Sequence, residues 1–406
     1  MDSLPSRSLY RFAVLTALAT LGLIGMGGLV TSKGVGMAVP DWPTSFGYNM
    51  FALPVDQWFH GGVFDEHTHR LWASTVGLLV VVLARWLGGT PSRRWLLLTG
   101  AGELAAGLGL LSLGAAWSGA GHFLCGIGGV VLLAGLAWFR SAPAPSPLPV
   151  LGWVAFGLVQ LQGLLGGLRV VLDQWTLGNV TLGLLLGLIH GCLGQGFFVL
   201  LGVIAWRLSP AGTRWDGLAP RSVSGSGGIS FWLGAGTALA VLQLILGASM
   251  RHQHAGLAIP DFPTAYGRWW PALDAESLIR YNHLRLEEST VTVFQILLQM
   301  AHRAGAVAVL TAMVLAWRTA ARRQGRGSAL ARGAALWLAL GVLQALLGAT
   351  TIWTNKAADV ATAHVVLGAV TLLTGTLLIL VARKLRVAEP TEASRIPVPA
   401  LAHPMA

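Results

Sequence analysis

Apolar runs long enough to cross a lipid bilayer recur along this 406-residue chain. A helix needs about 20 such residues to span a hydrocarbon core of ~30 Å. Hydrophobic residues make up 54% of the chain and charged residues only 11%, against about 25% charged in ordinary soluble domains. That is too little charge to cover a soluble surface. The sequence therefore reads as an all-α polytopic membrane protein, which excludes a soluble enzyme, a secreted disulfide scaffold and a disordered chain.

The chain carries 27 basic and 16 acidic residues, a net charge of +11. Such an excess raises the question of nucleic acid, and its placement answers it. Most basic residues, among them Arg85, Arg93, Arg94, Arg140, Arg207, Arg214, Arg318, Arg322, Arg323 and Arg383, fall in short connections at one face of the expected bundle. This positive-inside pattern predicts a multi-pass protein of the cell inner (cytoplasmic) membrane with both termini cytoplasmic, and it removes nucleic acid as a partner. The only cysteines, Cys125 and Cys192, lie within apolar runs, so no extracytoplasmic disulfide is expected. No small-residue cleavage site follows the first run, which reads as a retained span.

Ten spans are predicted, near 11–32, 67–87, 94–114, 119–139, 150–171, 180–206, 230–250, 293–317, 330–353 and 360–383. The Pro-rich stretch 143–149 cannot continue a helix and reads as a linker, as does the polar Gly/Ser stretch 222–228. The proline-bearing tail 387–406 is expected to be disordered.

An internal repeat organises the spans. GMAVPDWPTSFGY at 36–48 and GLAIPDFPTAYGR at 256–268 share seven of thirteen residues, and each opens a long connection after a span. After each comes a helix bearing His-Arg, at His69-Arg70 and His302-Arg303. A helix with Gln-x-x-Leu-Gly follows, at 162–166 and 344–348, and then a last helix with one histidine, His190 or His364. The chain is thus read as two pseudo-symmetric four-helix bundles, 1–220 and 229–386, in a parallel repeat. His69 and His190 lie 121 residues apart, His302 and His364 only 62. The difference assigns the first half an inserted two-helix hairpin at about 94–140, which leaves the orientation of later spans unchanged.

The four histidines sit at matched depth. His69 and His302 each precede an edge arginine (Arg85, Arg318) by 16 residues, His190 precedes Arg207 by 17 and His364 precedes Arg383 by 19. At about 1.5 Å of rise per residue all four share one level in the outer half of the bilayer. A lone intramembrane histidine is commonly a packing residue, but four at equivalent places in a duplicated bundle point to two bis-histidine haem irons, one per half. Zinc or copper would want three or four ligands in one cluster.

Neighbouring residues sharpen the reading. Arg70 and Arg303 each follow a ligand and suit either a haem propionate or a snorkelling interfacial anchor; Lys33 and Arg251 face the same choice. Glu66, one turn before His69, is matched by Gln299 in the second half. A carboxylate beside one site and an amide beside the other suggests acid–base or cation-stabilising chemistry in the first half only. A helix-start carboxylate favoured by the dipole is the plainer alternative. Gln162, Gln243 and Gln344 read as helix-packing residues, His122 as packing and His67 as structural or solvated. His60, His252, His254 and His283 read as solvated loop residues.

With these residues in view the chain resembles the haem A synthase family of cytochrome oxidase assembly proteins. The likeness rests on Val30-Thr31 with Gly34 and Met37, Asp41-Trp42-Pro43, Glu66-x-x-His69-Arg70, His302-Arg303, His190 and His364. It covers most of the chain apart from the hairpin and the tail. The resemblance implies haem o as substrate in the first half, haem b as cofactor in the second, and oxidation of the ring-8 methyl of haem o to a formyl. It implies Glu66 as the catalytic group, His69, His190 and Arg70 on the substrate haem, and His302, His364 and Arg303 on haem b. A cysteine pair that many members carry in the first outer loop is Ala38 and Ser45 here, and Ala258 and Ala265 in the second. Either one histidine of the first site leaves the iron, or electron removal is followed by attack of water at the methyl carbon; both routes stay open. Implied partners are haem o, membrane lipid, a haem o synthase, an electron donor and a second copy of the chain. The rival readings are a b-type cytochrome that only transfers electrons and a transporter on a duplicated bundle.

Overall fold

The computed structural model describes residues 6–137, 141–178, 180–217, 221–222, 226–283, 290–383 and 385–386. Arg140, residues 223–225 of the expected linker at 222–228 and the tail 387–406 fall outside the described residues. Eleven helices follow in chain order: α1 Arg7–Ser32, α2 Val63–Ser112, α3 Ser118–Leu136, α4 Leu148–Val171, α5 Leu182–Leu208, α6 Pro210–Gly217, α7 Ser226–His252, α8 Ala275–His283, α9 Val293–Gln324, α10 Ala329–Trp353 and α11 Ala358–Ala382. All but α6 and α8, nine among the described residues, are long and apolar enough to cross a membrane. The chain is an all-α multi-pass membrane protein. The strands present are two-residue pairs, Thr176–Leu177 with Val180–Thr181 and Arg221–Ser222 with Leu385–Arg386.

Nine long helices accommodate the ten expected spans because α2 is two helices end to end. Its 50 residues would reach about 75 Å at about 1.5 Å per residue, well beyond one bilayer. The break is at Gly89, whose φ of 60° and ψ of −159° belong to a region that only glycine occupies at low cost. The carbonyl oxygen this exposes is recovered locally: Arg85 Nη1 donates to Gly89 O at 2.6 Å and Ser92 Oγ at 2.7 Å. Residues 141–144 lie along the break, where Ala144 N donates to Leu87 O and Thr90 N to Ser141 O. Arg85, expected in a basic connection, is instead 1% exposed. The second arm of α2, 90–112, pairs with α3 through glycines at Gly100, Gly107, Gly121 and Gly128, each within touching distance of the opposite backbone.

Two apolar cores organise the remainder. One joins α1, the first arm of α2, α4 and α5, with Ala369 of α11. The other joins α7, α9, α10 and α11 around the fully buried Trp337, whose Nε1 donates to Thr371 O. The two long loops, after α1 and α7, fold alike. Asp41 accepts from Thr44 Oγ1 and from the N–H groups of Phe46 and Gly47. Asp261 does the same for Thr264, Tyr266 and Gly267. Phe46 and Tyr266 both hold φ 54°. The repeat seen in sequence is therefore a repeat of structure, each carboxylate folding the turn that follows it.

A methyl group at Gly89 would lie 2.4 Å from Pro143 N and 2.6 Å from the Ala142 carbonyl carbon, both backbone atoms that cannot yield. Gly89→Ala is expected to destabilise the protein by about 3 kcal/mol or more, strain and clash together. Thermal unfolding in detergent measures it, and a shift below about 1 kcal/mol would contradict the kink geometry.

Candidate functional site

Each of the four intramembrane histidines packs against a glycine of the neighbouring helix. A Cβ on Gly27 of α1 would lie 3.0 Å from Cε1 of His69, and one on Gly166 of α4 would lie 3.3 Å from Cε1 of His190. The second half repeats this with Gly247 of α7 against His302 (3.0 Å) and Gly348 of α10 against His364 (3.2 Å). A methyl group at any of the four would press on the ring, which would have to give way by a few tenths of an ångström. His69 and His190 lie within electrostatic reach of each other, as do His302 and His364. Arg169 and His252 fall within the same reach of His190.

Glutamine holds three of these histidines from a second side. Gln243 Nε2 donates to His302 O at 2.7 Å and Gln344 Nε2 to His364 O at 2.8 Å. The terminal amide of Gln162 lies 2.7 Å from Nδ1 of His190 and 3.3 Å from its carbonyl oxygen. In each case the glutamine precedes the seating glycine by four residues, so Gln-x-x-x-Gly presents both on one helix face. These are the packing residues with interhelical hydrogen bonds that the sequence leads one to expect. The signal was present in the spacing, but the acceptor is a backbone carbonyl, which leaves no mark in a sequence. At His69 the pattern breaks: Leu23 takes the glutamine position, and Trp72 Nε1 instead ties the two helices by donating to Ala19 O.

Nδ1 of His69, His302 and His364 is buried without a hydrogen-bond partner. Buried polar atoms are seldom left so, and imidazoles seated in pairs with ring nitrogens uncommitted to protein suit axial ligation of a haem iron. Among the described residues no three His, Cys, Asp or Glu side chains converge, so the donors present are pairs.

Glu66 and Arg70 face the loop. Glu66, 4% exposed, accepts from Val39 N (2.9 Å) and from Arg70 Nη2 (2.6 Å). Arg70 also donates to the carbonyl oxygens of Val39, Asp41 and Thr44. In the second half Gln299 accepts from Ile259 N and its amide nitrogen donates to Gly256 O and Ile259 O. Arg303 is left with Asp261 O and Thr264 O. A carboxylate has no N–H to give, so in the first half the arginine takes over the carbonyl that the glutamine amide serves in the second. Lys33 pairs with Asp65 at 2.9 Å, and Arg251 donates to Gly28 O and Ser32 Oγ of α1. His67 is buried between Ser45 and Trp58. His252, expected in solvent, packs on Gly187 of α5 with Cε1 2.9 Å from the Cβ position.

The family model for cytochrome oxidase assembly proteins of the COX15-CtaA type matches residues 115–377. A protein of Rhodopseudomonas palustris named heme A synthase is 32% identical over 297 residues, 70% of this chain and 74% of that one. The chain belongs to the haem A synthase family. Another protein of that name, from Dinoroseobacter shibae, is 28% identical over 151 residues, 32% of this chain and 38% of the relative. The range matched to the family contains His190, His302 and His364. It begins just before α3, so it takes in the second helix of the segment read as an insertion, while His69 and Glu66 precede it.

Two outcomes follow for the loop clamps. Glu66→Gln should leave thermal stability within about 1 kcal/mol, because Gln299 shows an amide can hold the same N–H, whereas Glu66→Ala should cost about 2 kcal/mol or more; equal losses would contradict the comparison. At Asp41 and Asp261 burial works against ionisation, but the bonds from Thr44, Phe46 and Gly47, and from Thr264, Tyr266 and Gly267, outweigh it and hold both carboxyls below their ordinary value. A depressed carboxyl stabilises the fold above its unfolded pKa of about 4 and loses that contribution as pH falls through the folded value. Limited proteolysis should therefore find both loops protected at neutral pH and opened only in stronger acid.

Proposed function

We propose that this protein is a membrane oxidoreductase of haem a synthesis that converts the ring-8 methyl of haem o to a formyl. The relatives' shared name supports haem a synthesis, and the paired, glycine-seated histidines carry the reading. His69 and His190 would hold haem o in the first half, and His302 and His364 would hold haem b in the second. The loops would face outward, with both termini in the cytoplasm of a cell whose inner membrane houses the chain. Bound haem supplies the redox-active iron. The chain's own residues do the rest: the four imidazoles would hold the two haems, Gln162, Gln243 and Gln344 tie the helices at three of them, and the loops lie over the helix ends. Glu66, one turn before His69, is the proton acceptor we assign to the first half, since Gln299, of the same shape, cannot take a proton at neutral pH. Methyl to formyl is an oxidation that adds oxygen, so the reaction calls for dioxygen with an electron donor, or for water with an electron acceptor, besides a haem o synthase to supply the substrate.

One observation favours the second reading, a bis-histidine cytochrome that transfers electrons without modifying haem. Glu66 and Gln299 hold equivalent loop N–H groups, so loop packing alone accounts for a residue of that shape. Reverse-phase chromatography of haems separates the two. Membranes containing this chain and a haem o synthase, in a host that makes no haem a, should yield haem a or its alcohol precursor. Glu66→Gln should remove that product while the protein stays folded and red. Haems b and o alone from the unmodified chain, with an electron donor supplied, would leave the cytochrome.

A further inference from the structure

We propose that Arg169, with His252 beside it, binds a carboxylate of the ligand held in the first half, a propionate of its tetrapyrrole. The inference rests on the haem reading above. Arg169 lies on α4 three residues after Gly166, the seat of His190, and so shares its helix face. Its guanidinium lies against Gly36 of the first loop, with Nη2 2.7 Å from the Cβ position there, and its stem lies against Gly187 of α5. Gly187, three residues before His190, is also the glycine on which His252 of α7 rests. Arg169 is within electrostatic reach of both His69 and His190.

The neighbouring cations are occupied. Arg70 is bound to Glu66 and three carbonyls, Arg251 to α1 and Lys33 to Asp65. Arg169 makes no hydrogen bond or ion pair to any described residue, and the ion pairs among the described residues are those of Lys33 and Arg70. A half-buried guanidinium set beside Arg251 and His252 without an anion is costly. A bound carboxylate removes that cost, and the planar fork matches it with two parallel bonds. The second half has no counterpart: three residues after Gly348 stands Thr351, its hydroxyl bonded within its own helix to Leu347 O. The device belongs to the half where substrate must be recognised and released.

The test titrates the full-length chain in detergent with iron protoporphyrin IX and, separately, with its dimethyl ester, read by the Soret band. The unmodified protein should bind the diacid at two sites, one of them preferring it to the diester by about tenfold to a hundredfold through Arg169. Arg169→Gln should abolish the preference at that site and leave the other unchanged, and Arg169→Lys, which keeps the charge but not the fork, should retain part of it. Equal binding of diacid and diester at both sites of the unmodified protein would overturn the proposal even if Arg169→Gln failed to fold. So would full preference in Arg169→Gln. If the unmodified protein bound neither compound, the haem reading itself would fall, a result distinct from loss of preference alone.

Discussion

An imidazole can enter the seam between two packed helices only where the facing helix gives up a side chain. Gly27, Gly166, Gly247 and Gly348 do this, one at each of the four histidines. Small residues allow close helix approach in lipid, where no hydrophobic drive brings helices together. Here the approach is close enough that the ring fills the space. Helix spacing, ring orientation and the level of the site are thus set by one kind of contact. The glutamine four residues before each of three glycines adds a polar tie that fixes axial register.

The loops obey a donor count. Each must fold over the helix ends with its carbonyls satisfied, and each draws on one arginine and one residue of glutamate shape. Gln299 brings two N–H groups and Glu66 brings none, and the arginines redistribute to suit. The asymmetry that reads from sequence as chemistry is thus also an asymmetry of hydrogen bonding. The two meanings are compatible, because a carboxylate held by an arginine and a backbone N–H is also held in place.

The spans, the duplicated loop and the four histidines were legible because each rests on local pattern: apolar length, a thirteen-residue repeat and equal spacing to an arginine edge. The reversal at Gly89 was legible as a break between spans, but its arginine was not, since the positive-inside pattern explains Arg85 equally well without the buried bond to Gly89 O. The glutamines sit as the packing residues with interhelical hydrogen bonds that their spacing implies, whereas Arg70 and Arg303 stay open in the sequence because their acceptors are backbone carbonyls, which every residue owns. Arg169 carries no sequence signal and His252 reads from sequence as a solvated loop residue, because what matters about both is what lies beside them, and Gly187 brings them together from helices of different halves.

The contacts of Arg251 with Gly28 and Ser32, and of His252 with Gly187, reach from the end of α7 into the first half. The end of α7 therefore covers a face of α1 and α5 that the earlier part of the chain leaves open. A chain cut between the halves would yield a first fragment that waits for its complement. The duplication has become a dependency, since residues from after the repeat point wall part of the space around His190.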